Sequence, residues 1–162
     1  MAGVAPSHRG RGKETQGIMN ESARAIWGRT KVLVWPERYV LASLGVDRLS
    51  EAATLIASRR SGFAALVVER DEISVTADEE TWRSGGLEEW ARVSRPHRAV
   101  TLDVDVSLDV CGFLAPLAGL LADASVSIVP QCAFLKDHLL VHEKDLANAV
   151  QVLESWIRAC RA

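Results

Sequence analysis

The sequence predicts a mixed α/β domain, an α+β sandwich in which a β-α-β-β-α unit occurs twice, and three observations carry that prediction. Val100, Leu102, Val104 and Val106 alternate with Thr101, Asp103 and Asp105, the period of two of a strand with one buried face. Leu49, Ala52, Ala53 and Ile56 recur instead at helical spacing. The order of such segments then repeats after about 65 to 70 residues, a duplication of pattern rather than of letters. One such unit holds little core, and two complete each other by sheet or helix pairing.

With 162 residues, 48% hydrophobic and 25% charged, the chain has enough apolar material for one ordinary domain or two very small ones on a shared core. A formal net charge of −2, with no uniformly basic stretch in the folded part, lacks the electrostatic footprint of a nucleic-acid binder. No apolar run approaches the roughly 18 residues of a membrane helix, and the N-terminus lacks the apolar block of a secretory signal. A soluble, cytoplasmic protein is expected. Cys111, Cys132 and Cys160 are odd in number and form no CxxC spacing, so reduced thiols and no disulfide are expected.

Residues 1–29 are rich in Gly, Ser, Arg and Ala without a sustained apolar period, and read as a flexible tail, with Met19 as an alternative start. A transit peptide is the less favoured reading of this acid-poor leader, because no amphipathic pattern is sustained.

The first unit, 30–96, opens with the strand LVWPERYVLASL, which Pro36 turns into an edge or a bend. After Gly45 comes a helix with Arg59 and Arg60 in its last turn and Gly62 as its cap. FAALVVE and EISVTA follow as a hairpin closed at Arg70 and Asp71. Asp78, ahead of Glu79 and Glu80, marks a helix start that Gly85 and Gly86 interrupt.

The second unit, 97–162, begins with the alternating strand HRAVTLDVDV. In CGFLAPLAGLLADA, Phe113, Leu114, Leu117, Leu120 and Leu121 form a helical face that packs on the sheet. VSIVPQCAF and LKDHLLVHE give two strands turning near 134–136. A last amphipathic helix over 144–161 runs through Leu146, Val150, Leu153, Trp156 and Ile157.

The stretch VSLDVCGFLAPLAGLLADASVSIVPQCAFLKDHLLVHEKDLANAVQVL resembles the second unit of small tandem ACT-domain proteins of the CASTOR-like type. The likeness lies in the order and spacing of 109–112, 122–128, 131–137, 139–141 and 143–146. WPERYVLASL and EISVT extend it to the first unit, so it spans about 31 to 157. The sequence departs from the family pattern at Cys111, where Thr is usual, at Ser125, where Gly is usual, and across the hairpin 130–134. The resemblance implies a ferredoxin-like ACT architecture, β-α-β-β-α-β, serving as a sensor that binds an amino acid or similar metabolite between ACT units. It also implies a homodimer, which the exposed edges of a small sheet favour on physical grounds.

An amino acid needs donors for its carboxylate and an acceptor for its ammonium. Pro116 near a helix start leaves the amides of Cys111, Gly112, Phe113 and Leu114 without ladder partners, and free amides at such an end attract anions. Gly112 allows close approach to the backbone, and Asp137 on the hairpin can take the ammonium. The candidate ligand site is Val110, Cys111, Gly112 and Phe113 with Gln131, Cys132 and Asp137. The blander alternative is a turn glycine, a hairpin aspartate bonding its own backbone and an ordinary helix-start proline.

No catalytic residue, metal or cofactor is expected. On a strand, His138 and His142 share a face but stand about 13 Å apart, too far for one ion. No nucleophile elbow, phosphate loop or dinucleotide motif occurs. Because the chain carries no evident output domain, a regulated protein partner is expected. The competing readings are an interaction module with a degenerate pocket and a cysteine-dependent enzyme built on Cys111.

Overall fold

In the computed structural model, which describes residues 21–60 and 62–162, strand β1 (Lys31–Leu44) organises the sheet. It pairs on one side with β3 (Ile73–Asp78) through residues 39–44. On its other side it pairs first with β5 (His97–Asp103) and then, from Ala42 to Leu44, with the three-residue β4 (Ala91–Val93). The β1–β5 register shifts between Val34 and Arg38. Pro36 lies inside that irregular stretch, where its missing N–H breaks no ladder bond. The bend expected at Pro36 is there, but β1 is central rather than an edge.

With β2 (Ala65–Val68), β6 (Ile128–Cys132) and β7 (Asp137–His142), the seven strands run in the order β2-β3-β1-β5-β7-β6, with β4 beside β1. Every pairing is antiparallel. Each unit places its third strand between its first and second, and β1–β5 joins the units. The counterpart elements of the second unit begin at 97, 115, 128 and 137 against 31, 49, 65 and 73 in the first, a spacing of about 65.

Val32, Val34, Val40, Ala42 and Leu44 of β1 face the helices. Val40, Ala42 and Leu44 pack with Ala52 and Leu55 of α2 (Leu49–Ala57) and Trp82 of α3 (Glu79–Gly85). Val32 and Val34 border a second core. There Leu117 and Leu121 of α4 (Ala115–Asp123) and Leu153 and Ile157 of α5 (Leu146–Arg161) cover Val100, Leu102, Leu139 and Val141.

Four expectations are corrected. Residues 21–29, read as tail, form helix α1 (Glu21–Arg29), whose Ile26 and Trp27 enter the second core; residues 1–20 lie outside the described ones. The first unit's helix stops at Ala57, because Ser58 closes it by donating its amide to Thr54 and its hydroxyl to Leu55. Arg59 and Arg60 therefore lie beyond it. Gly62 is not a cap but a close approach: a Cβ there would stand 2.6 Å from the Trp35 ring. Finally, β5 is buried on both faces, because Phe63 and Trp35 pack on the sheet's second face with Tyr39, Ala99 and Leu140. The interrupted segment after Asp78 resolves into α3, capped by Asp78 accepting from the Thr81 amide, ended by Gly86 at φ 61°, and followed by β4.

Candidate functional site

Between β5 and α4 the chain runs irregularly from 104 to 114. Among the bonds that hold this loop, the Val106 amide donates to the Leu135 carbonyl at 3.1 Å, and the Val110 amide to Ser107 at 3.0 Å. Gly112 takes φ 78°, the left-handed region that a side chain resists. Leu114 then opens α4 without a side-chain cap, with Pro116 in its first turn. Among the described residues, the amides of Gly112, Phe113, Leu114 and Ala115 donate to no backbone carbonyl, as an uncapped helix start leaves them.

Opposite this loop is the β6–β7 hairpin, closed by the Ala133 amide donating to Lys136. Loop and hairpin enclose a cleft of about 370 Å³. Of the residues singled out from sequence, Val110, Gly112, Phe113, Cys132 and Asp137 line it, and Cys111 and Gln131 do not. Cys111 is exposed. Gln131 pairs with His138 and Cys132 with Asp137, so strand alternation sends Gln131 to the sheet's other face.

The neighbouring Asp137 carboxylate, together with burial, pushes the Cys132 thiol up to about 11. It is therefore a protonated thiol and a poor nucleophile at neutral pH. Lys136 is engaged by Asp103, with Asp105 at 3.9 Å. That pair raises the lysine and lowers Asp103. The cleft thus offers free amides on one wall, Asp137 on the other, and apolar sides from Val106, Val110 and Phe113. Its rim is exposed and apolar: Leu108 and Phe134 are each 75% exposed.

Three features were missed from sequence. Trp27 of α1 stacks on Phe113 with ring centroids 4.6 Å apart and donates its indole N–H to the Phe113 carbonyl at 2.8 Å. A second, more open cleft of about 870 Å³ lies at the pseudo-equivalent place in the first unit, between the end of β1 and the β2–β3 turn. Charged side chains from Glu69 to Glu72 dominate it, with Trp90, onto which Arg48 packs at 4.7 Å. The Ser43 and Ser74 hydroxyls hold Glu72 below the usual carboxylate range. The repeat itself pointed there.

The third feature is on the second sheet face, where Trp35 donates to Thr101 Oγ1 at 2.7 Å and Thr101 Oγ1 lies 2.7 Å from His138 Nδ1. Phe63 packs on the His138 ring at 4.4 Å, and His97 stacks on His142 at 4.5 Å. His138 and His142 are thus partnered separately. No group of three or more metal-ligating side chains gathers among the described residues, and none of their helices is long and apolar enough to cross a membrane.

No curated protein matches the chain. Among solved structures it is similar to a protein of unknown function from Vibrio cholerae, described as a possible transport protein (19% identity, 85% of this chain and 97% of that one, TM-score 0.66). It also resembles a protein from Agrobacterium tumefaciens (20%, 78% and 88%, TM-score 0.62). A third likeness is to the regulatory subunit of aspartate kinase from Thermus flavus (13%, 77% and 95%, TM-score 0.56). At these identities the likeness is one of fold. Residues 93–155 match the family model of the ACT domain, and the fold of the chain is the ferredoxin-like ACT fold.

Proposed function

We propose that the chain is a non-enzymatic regulatory module of the CASTOR-like tandem kind, with residues 30–96 as a first ACT-like unit and 97–162 as the second. It binds an amino acid or similar small zwitterion in the cleft of the second unit. The observation that carries this reading is the pairing of chemistries across the cleft. Unladdered amides around Gly112 face a carboxylate at Asp137, complementary to a ligand carboxylate and ammonium. A volume near 370 Å³ suits a small molecule. The ACT match over 93–155 supports a regulatory role, and three free cysteines, two of them exposed, support a reducing, cytoplasmic setting. A homodimer and a regulated protein partner complete the proposal.

The test is a thermal-melting screen against the twenty amino acids and common nucleotides. A ligand at about a hundred times its dissociation constant adds roughly 2.7 kcal/mol, a shift of several degrees in a chain this size. A shift with one compound, lost in Asp137→Ala and in Gly112→Val, is the expected result. A shift that survives both variants places the ligand elsewhere, and no shift with any compound overturns the reading.

A second reading, a protein-interaction module, is favoured by the exposed rim of Leu108, Phe134 and Leu135. If it holds, Phe134→Ser abolishes self-association in sedimentation without altering the melting temperature.

A further inference from the structure

Helix α1 contributes nothing to the sheet, yet Trp27 is fully buried and Phe113, its partner, is 4% exposed. Two attachments of the helix bear on the cleft. One is to α5: Arg24 donates to the Ala159 carbonyl at 2.7 Å, and Arg161 Nε donates to the Gly28 carbonyl at 2.9 Å. Gly28 lies so close that a Cβ there would be 3.3 Å from the Cys160 carbonyl oxygen. The other attachment is the Trp27–Phe113 contact, in which a stacked ring and a hydrogen bond both fall on one loop residue.

Phe113 stands between Gly112, whose φ of 78° sets the direction of the loop, and Leu114, which opens α4. The indole is a donor only, so its bond fixes the plane of the peptide that joins Phe113 to Leu114. In a segment with so few bonds of its own, this contact decides where the unladdered amides point.

We infer that Trp27 is a positioning residue for the cleft and that α1 is its mechanical extension. Trp27 sets the 112–114 backbone, and any displacement of that backbone passes through Trp27 to α1. Coupling of this kind is reciprocal by thermodynamic necessity, so it is detectable from either end. The use of the coupling in signalling rests on the proposed ligand site; its existence does not, and no small molecule enters its test.

The experiment is hydrogen exchange by NMR on the full chain. Trp27→Phe keeps a ring and removes the bond. The amides of Val110 and Ala118, whose acceptors Ser107 and Leu114 bracket Phe113, are expected to exchange about tenfold faster, while that of Leu140 keeps its rate. In the reverse direction, Gly112→Ala strains the loop without touching α1. The Trp27 indole N–H is expected to exchange about tenfold faster, while the Trp35 indole, bonded to Thr101, does not change. Leu55→Ala, in the first unit's core, controls for general loosening. Unchanged Val110 and Ala118 in Trp27→Phe, an unchanged Trp27 indole in Gly112→Ala, or equal acceleration in Leu55→Ala each overturns the inference.

Discussion

The amide of Val126 donates to the carbonyl of Leu121 at 2.8 Å, and with Ser125 donating to Ala122 at 2.9 Å it closes α4 in the two-bond pattern of a Schellman motif. The residue at the centre of that motif adopts the left-handed conformation, and here it is Ser125, at φ 58°. A side chain there costs roughly 1–2 kcal/mol. A glycine avoids that cost but loses part of the gain to its freer unfolded chain. Ser125→Gly should therefore stabilise the protein by about 0.5–1 kcal/mol, raising the melting temperature by about 2 °C. Calorimetry of the two proteins decides it.

The three thiols should separate cleanly by reactivity. Cys111 is exposed, Cys132 is held protonated by Asp137, with a pKa of about 11, and burial raises and shields Cys160. Iodoacetamide at pH 8 should label Cys111 first, Cys132 slowly, and Cys160 only on unfolding. Asp137→Asn removes the neighbouring negative charge and should accelerate Cys132 labelling by more than about tenfold. If Cys132 instead reacts as fast as Cys111 in the unaltered protein, Asp137 does not hold the thiol protonated.

The elements that could be read from sequence are those whose side chains keep one period against one surface. α5 declared itself this way, β5 showed the alternation although both of its faces are buried, and Asp78 announced α3 through its cap chemistry. Helix α1 did not, because its apolar face is only Ala23, Ile26 and Trp27 within nine residues. The α5 carbonyl that holds Arg24 is 135 positions away in sequence. The burial of Thr101 on the far face of β5 was equally hidden, since Trp35 and Phe63 reach it only through the tertiary fold. At the site, Gly112 and Asp137 were legible from backbone freedom and charge. Strand parity already forbade Gln131 and Cys132 from facing one cleft together. The Trp27–Phe113 contact had no local signal at all.

Thr101 is the hinge of a buried hydrogen-bond chain. The Trp35 indole can only donate, so Thr101 Oγ1 accepts from it, and the same oxygen lies 2.7 Å from His138 Nδ1, so one hydroxyl partners both rings. Thr101→Val is close in shape but strands both neighbours, each at about 1–3 kcal/mol. A loss of about 2–4 kcal/mol in urea unfolding is expected, while Thr101→Ser should stay within about 1 kcal/mol of the unaltered protein. Equal losses in the two variants would mean that packing of the Thr101 methyl group, and not the chain, is what matters.

The same face makes stability depend on pH below neutrality. Burial holds His138 below the ordinary value of 6.5, with Lys136 adding to the effect and Asp137 opposing it. Burial and the neighbouring His142 do the same to His97, opposed by a backbone bond at Arg95. The unfolded chain takes up these protons near pH 6.5 and the folded chain resists them, so acid favours the unfolded state. The contribution is complete above pH 6.5 and is lost as pH falls from there through the lower folded values. Asp103 and Glu72, held below the usual carboxylate range, add their own loss only in more acidic solution. Melting temperatures taken from pH 7.5 to 5 should therefore decline, and the decline should flatten in a His97→Gln, His138→Gln double variant. The variant is less stable throughout because it cuts the Thr101 chain, so the slope is the quantity to read. A slope unchanged by removing both rings would place the acid sensitivity in the carboxylates instead.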